Sequence, residues 1–317
     1  MRLIVITYHY LGVDPNPFPA IYPISERSFK KQIEKIGEKF NFVSLKNVVN
    51  HIIGNGTLPQ NSCILTFDDG LRSQYEIARP ILTSKGIPAI YFINTEPLMD
   101  NKPSTIHLIH WLRGNIKSAD FKREIKNNLR DLGFDIEVLF KTNVDLLQKV
   151  KTQYPYDKGE IAQIKYTLNF LIEWSDMEKM IDRIFSDYHG NYGKFCKAYY
   201  FTKSMCKELI LEGEIGTHFH SHIPHSRFGF DKLSKDLLVS LNYFSDCFGK
   251  NVNAVSYPFG IVGSGVNKLK KILDTSGIKL GFVNTKKINY ALNDRFFLSR
   301  YNTNDVPGGS RPIISFD

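Results

Sequence analysis

The sequence predicts an α/β fold built on a mainly parallel sheet and interrupted by a helical insertion. Three observations predict it. Short apolar runs alternate with amphipathic helical stretches, the order expected of parallel strands joined by crossover helices. The alternation lapses between residues 96 and 197, where the chain turns polar and helix-rich. Polar clusters stand repeatedly just after an apolar run, and sites in parallel sheets gather at the carboxyl ends of strands. The expected division is therefore one α/β domain, residues 1–95 and 198–317, carrying an insertion at 96–197. A chain of 317 residues suits that arrangement.

Taken in order, "RLIVITYH" reads as the first strand. "SERSFKKQIEKIGEKF" follows as a helix, with Ser25 as N-cap and Phe29, Ile33 and Ile36 along one face. "SLKNVVNHII" is a second short helix, and "SCILTF" is an apolar strand that ends in "DDG". "LRSQYEIARPILTSKG" is a helix that Pro80 kinks, and "IPAIYFIN" is the next buried strand. Within the insertion, "STIHLIHWLRG", "ADFKREIKNNLRDLG", "NVDLLQKVKTQ" and "KGEIAQIKYTLNFLIEWSDMEKMIDRIFSDY" have helical spacing. Alternation resumes with the helix "TKSMCKELILEG", the strand "EIGTH", the helix "KLSKDLLVSLNYFSDCFG", the strand "AVSYPFG", the helix "VNKLKKILDTSG" and the strand "KLGFVNT".

Composition narrows the function classes. No run approaches the roughly 18 apolar residues of a membrane span, and "TYHY" interrupts the first apolar run before a signal-peptide core could form. Cys63, Cys196, Cys206 and Cys247 lack CxxC spacing, so neither a disulfide framework nor a zinc knuckle is indicated, and a reducing compartment is the simplest home. The net charge of +9 suits an anionic substrate, a nucleic acid or peripheral association with an anionic membrane. The lysines of "FKKQIEKIGEK" and "NKLKKIL" fall at helical spacing, where a solvated face is the simpler reading, and no nucleic-acid partner is assigned.

"EIGTHFHSHIPHS" packs four of the nine histidines into thirteen positions. A surface cluster is one reading; a metal site is the other, since neutral imidazole is the commonest protein ligand for zinc. His218 and His222 share a face whether the segment is extended or helical. Pro224 disfavours a helical Ile223, so a strand should end near Thr217 and run into an irregular loop. Asp68 and Asp69 close another strand. "DDG" alone is often a turn, but beside the histidines one aspartate completes an Asp-His-His set and leaves positions open for water and substrate. The other is then available for proton transfer, as hydrolysis of an amide or ester requires.

These ordered motifs resemble the polysaccharide deacetylases of carbohydrate esterase family 4, which share the NodB homology domain, over nearly everything outside the insertion. The resemblance implies a distorted (β/α) barrel. It implies that Asp68 of "TFDDG" is the catalytic base, that Asp69 with His218 and His222 of "HFHSH" binds the metal, and that Tyr257, Pro258 and Phe259 of "SYPFG" line the substrate groove and supply an oxyanion N–H. Three positions depart from the family pattern. Phe219 replaces a loop-steadying Ser or Thr, Ser256 replaces the Arg that orients the base, and there is no late Leu-x-His for the general acid. "ITYH" resembles the circularly permuted branch in which an N-terminal histidine fills the acid role, here His9. "FFLSR" resembles a late Leu-x-Arg segment, so Arg300 is the candidate for the missing positive charge beside Asp68. His220 reads as a substrate contact or a loop hydrogen bond, His225 as a loop residue, and His107 and His110 as a packed helix face.

The implied activity is metal-dependent removal of an N-acetyl or similar acyl group from an amino-sugar unit. The implied setting is surface-glycan biosynthesis, of lipopolysaccharide or capsule. One divalent metal is expected, zinc by default, with cobalt, nickel or iron able to use the same ligands. The charge suits a nucleotide-linked or lipid-linked sugar, and the missing signal peptide points to the cytoplasm. Two rival classes are a non-catalytic carbohydrate-binding relative and a magnesium-dependent phosphoryl-transfer enzyme. The histidine pair and the absence of a GxxxxGK loop argue against the second.

Overall fold

A computed structural model describes residues 1–12, 23–154, 159–224, 227–260 and 265–316; His225 lies outside them. The described residues form two compact units, one from 1–12, 23–102 and 192–316 and the other from 103–191. In the first unit, eight parallel strands form a nearly closed barrel surrounded by helices. They are β1 Arg2–Tyr8, β2 Asn61–Phe67, β3 Ala89–Ile93, β4 Ile215–Thr217, β5 Ala254–Ser256, β6 Leu280–Val283, β7 Leu298–Ser299 and β8 Tyr301–Asn302. Their order is β7-β6-β5-β4-β3-β2-β1-β8. The last two strands are short and carry no apolar run, so the sequence did not reveal them. They are consecutive in the chain, with Arg300 alone between them, and pair to opposite edges: Leu298 with Phe282 and Tyr301 with Ile6. The seam is thus bridged by the chain itself at Arg300.

Strand periodicity explains where the site lies. Side chains alternate between the faces of a strand, and the barrel's apolar residues divide accordingly into two cores. One contains Ile4, Ile6, Leu65, Tyr91 and Val255 together with Phe29, Ile33 and Ile36 from the helix Glu26–Gly37. The other contains Leu3, Val5, Ile64, Ile90, Phe92, Ala254, Leu280, Phe282 and Leu298, the set that faces inward as the sheet curls. Continuing that inward set by two residues gives Thr7, Thr66, Asp68, Asn94, His218, Ser256, Asn284 and Arg300. A polar layer therefore caps the apolar interior at the strands' carboxyl ends, and all of it except the half-buried Asn284 is buried.

Helix boundaries mostly follow the caps in the sequence. The Ser25 hydroxyl accepts the Ser28 N–H at 3.2 Å, and Ser44 and Asn47 form a reciprocal capping box on Leu45–Ile52. One expectation is refined and one corrected. The segment after "DDG" is helical without a break from Arg72 to Ser84, with a π turn at Gln74–Ala78 just before Pro80. The long helix expected before residue 188 is divided. Glu160–Tyr166 runs into a π turn, Thr167–Leu171, and after an extended Ile172 and Glu173 the helix Trp174–Tyr188 begins. In this helical unit Trp111 meets Phe185 and His189 edge-on, at centroid distances of 5.5 and 5.0 Å. His107 is buried on the helix Thr105–Asn115, as its spacing predicts. Among the described residues, no helix is long and apolar enough to cross a membrane.

Candidate active site

β2 ends at Phe67 and delivers two adjacent carboxylates in different directions. Asp68 continues the inward register; Asp69 takes a left-handed backbone (φ 78°), as does Gly70 (φ 62°). A side chain on Gly70 would crowd Ile93 Cγ2 at 3.1 Å, and the left-handed backbone there is strained for any residue but glycine. Phe219, His222 and Phe259 also have φ near +60°. Left-handed non-glycine residues cost energy and concentrate where surrounding structure holds a functional geometry. Of the six such residues described, Asp69, His222 and Phe259 are sequence-predicted site residues and Phe219 lies between the two histidines; the other two are Asn101 and Lys286.

The Asp69 Oδ1 atom lies 3.4 Å from His218 Nε2 and 3.0 Å from His222 Nε2. All three side chains are buried, and one ligand atom from each falls within 4.8 Å of the others. His218 Nδ1 donates to the Ser256 carbonyl at 2.8 Å, which turns its Nε2 lone pair toward Asp69. Four tetrahedral ligands about 2.0–2.1 Å from an ion stand roughly 3.3 Å apart, so the spacing and the N₂O donor set fit a zinc-like divalent ion. Burial lowers the proton affinity of His218, but Asp68 and then Asp69 outweigh it, and its pKa is raised. The same negative charge that holds a proton there favours a cation.

Asp68 is gripped by the residue at the barrel seam. Arg300 Nη1 and Nη2 donate to its two oxygens at 2.8 and 2.7 Å, a bidentate pair in which both side chains are buried. Arg300 Nε donates to Asn284 Oδ1 at 3.0 Å. Asn284 in turn packs against Gly260 (φ 67°), where any Cβ would collide with it. Burial pushes the Asp68 carboxyl up. Arg300, His218 and His9 pull it down further, to about 2. His9 Nε2 lies 3.8 Å from Asp68 Oδ2, and its side chain is 38% exposed, so it can reach both the carboxylate and solvent.

Sequence reasoning missed two groups. The Gln74 amide donates to the carbonyls of His9 at 2.8 Å and Asp68 at 2.5 Å, tying together the carboxyl ends of β1 and β2. Asp236, on the helix Phe230–Phe248, accepts from the loop between His218 and His222. Its position was a readable signal, because a carboxylate stands at helical spacing among Leu233, Leu237 and Ser240 on the buried face. Gln74 had none.

The residues of the third motif face different ways. Tyr257 is fully buried, its hydroxyl donating to the Phe296 carbonyl at 3.1 Å and its N–H to the Phe282 carbonyl at 3.2 Å. Pro258 has no N–H. Phe259 is 37% exposed, and its ring centroid is 5.2 Å from that of His222. His220 turns away from the cluster, Nδ1 lying 3.0 Å from Thr95 Oγ1 and Nε2 3.5 Å from Asp100.

No protein-family model matches the sequence, and no curated protein matches it. Solved structures do. The deacetylase PplD of Streptococcus pyogenes, solved with acetate, superposes with a TM-score of 0.57 at 16% identity, over 95% of this chain and 92% of that one. IcaB of Ammonifex degensii gives 0.56 at 18% identity, over 95% and 91%. The deacetylase domain of BpsB from Bordetella bronchiseptica gives 0.53 at 14% identity, over 95% of each. The chain thus has the fold of the NodB-type deacetylases.

Proposed function

We propose that the protein is a metal-dependent hydrolase that removes an N-acetyl or similar acyl group from an amino-sugar unit. The observation that carries this reading is the pairing, on one barrel rim, of a buried Asp69–His218–His222 donor set with a neighbouring carboxylate, Asp68, locked in its ionised form by Arg300. The similarity to solved deacetylases supports it. Asp69, His218 and His222 would hold a divalent cation, which when bound would supply Lewis-acid polarisation of the acyl carbonyl and lower the pKa of water. Asp68 accepts the proton from the attacking water. Arg300, His218 and His9 hold its carboxyl near 2, so it is ionised at neutral pH and able to accept a proton. Arg300 fixes the direction of both oxygens. The Phe259 N–H is the oxyanion donor, and His9, 3.8 Å from Asp68 and half exposed, protonates the departing amine.

The convergence of Arg300 and His9 on Asp68 favours catalysis over the non-catalytic carbohydrate-binding alternative, because it restores the charge and the acid that the motif departures remove. The net charge of +9 favours a phosphate-bearing sugar, nucleotide-linked or lipid-linked, of the kind used in surface-glycan assembly. Zinc in a cytoplasmic enzyme is the corresponding cofactor and setting. The test is acetate release from N-acetylated amino sugars by parent and Asp68→Asn protein. Turnover should fall about 10²–10⁴-fold with little change in KM; an Asp68→Asn protein with parental turnover would overturn the assignment.

A further inference from the structure

The loop that carries His218 and His222 has lost the Ser or Thr that the second motif usually places after its first histidine, and Phe219 fills that position, fully buried. Yet the loop holds two residues, Phe219 and His222, at φ of 65° and 50°. The carbonyls of Phe219 and His220 accept the N–H groups of Thr95 and Glu96 at 3.2 and 3.0 Å, and the loop's own donors are held by one face of the helix Phe230–Phe248. Asp236 and Ser240 lie one turn apart there, 9% and 0% exposed. The Asp236 carboxylate accepts the Ser221 hydroxyl at 2.6 Å, the Ser221 N–H at 3.1 Å and the His220 N–H at 3.3 Å. The Ser240 hydroxyl lies 2.7 Å from Thr217 Oγ1, and that oxygen accepts the Phe219 N–H at 3.0 Å. Every residue from Thr217 to Ser221 other than His218 is thereby tied, directly or through Thr217, to this pair. His218 itself is held by Ser256.

We infer that Asp236 is a positioning residue for the metal site: with Ser240 it fixes the distance between His218 and His222 and so sets the affinity for a divalent cation. This rests on the proposed metal-binding role of the two histidines. The carboxylate is specifically required, because the Ser221 N–H meets Oδ1 at 3.1 Å, the His220 N–H meets Oδ2 at 3.3 Å, and a backbone N–H can only donate. An asparagine would turn its amide N–H₂ toward at least one of them, at unchanged size. Outer-shell partners of this kind govern metal affinity by about 10–100-fold.

The test is a zinc titration against a chromophoric chelator, on the full chain without a histidine tag, for the parent, Asp236→Asn and Asp236→Ala. The expected result is one zinc per parent chain, with affinity about 10–100-fold weaker in Asp236→Asn while its circular dichroism and stoichiometry stay parental. If Asp236→Ala does not fold, the isosteric Asp236→Asn decides alone. Parental zinc affinity in a folded Asp236→Asn protein overturns the positioning role and leaves the metal-site reading intact. A parent that binds no zinc overturns the metal-site reading, and this inference falls with it.

Discussion

Replacing Arg300 by methionine should destabilise the protein strongly at pH 7 and much less at pH 4. Arg300 and Asp68 are both buried and doubly hydrogen-bonded, so removing the guanidinium strands a carboxylate in the barrel. Breaking a buried pair from one side costs about 3–5 kcal/mol. The parental pKa gives an independent gauge. A carboxyl held at about 2 instead of its ordinary 3.8 contributes on the order of 2 kcal/mol, present above the unfolded pKa near 4 and lost as pH falls through 2. Without Arg300, burial dominates and the folded pKa rises above the unfolded one. Asp68 then penalises folding at neutral pH, and that penalty disappears as the pH approaches 4. The gap between parent and variant should therefore narrow from pH 7 to pH 4, from the variant's side. Urea unfolding with a chelator present throughout measures it. Circular dichroism is the suitable probe, since both tryptophans, Trp111 and Trp174, belong to the helical unit. Asp68→Asn should recover part of the loss in the Arg300→Met background. A gap below about 1 kcal/mol at pH 7, the range of an exposed pair, or a gap independent of pH between 7 and 4, would refute the reasoning.

Other consequences follow from the same geometry. Zinc affinity should fall as pH decreases, because the proton that Asp68 and Asp69 stabilise on His218 must leave before the imidazole can ligate; competition titrations between pH 8 and 6 check this. Asp69→Ala should abolish the approximately one equivalent of metal expected of the parent, read by elemental analysis of untagged protein. Gln74→Leu removes the two bonds that tie His9 to Asp68 and should cost about 1–3 kcal/mol of stability, lowering kcat more than it raises KM. Tyr257→Phe should cost about 1 kcal/mol and leave turnover unchanged, since its hydroxyl serves the Phe296 carbonyl; a large loss of kcat would give that hydroxyl a part in the site.

Much of this molecule is written locally in the chain. The strands are recognisable because "RLIVITY", "NSCILTF" and "AIYFI" must be apolar on both faces to lie between a barrel interior and a layer of helices. The histidine spacing and the doubled aspartate at strand ends are likewise properties of a few consecutive residues, which is why the Asp-His-His cluster was legible in the sequence. Helix starts at Ser25 and Ser44 were legible because capping is a short-range hydrogen bond.

What the sequence left undecided depends on residues far apart in the chain. The two-residue strands around Arg300 have no hydrophobic signature; they exist because the sheet needs a seam, and that seam alone brings Arg300 onto Asp68, 232 positions away. "DDG" names two acids, but only the inward register and the left-handed turn at Asp69 separate one for Arg300 from one for the histidines. "SYPFG" cannot say that Tyr257 faces the core and Phe259 the solvent. By itself the sequence determined the apolar strands, the helical insertion's character and the chemistry present at the rim. Tertiary structure decided which carboxylate is paired, which histidine turns away and what holds the histidine loop, because burial and pairing are set by barrel closure and not by neighbours in the chain.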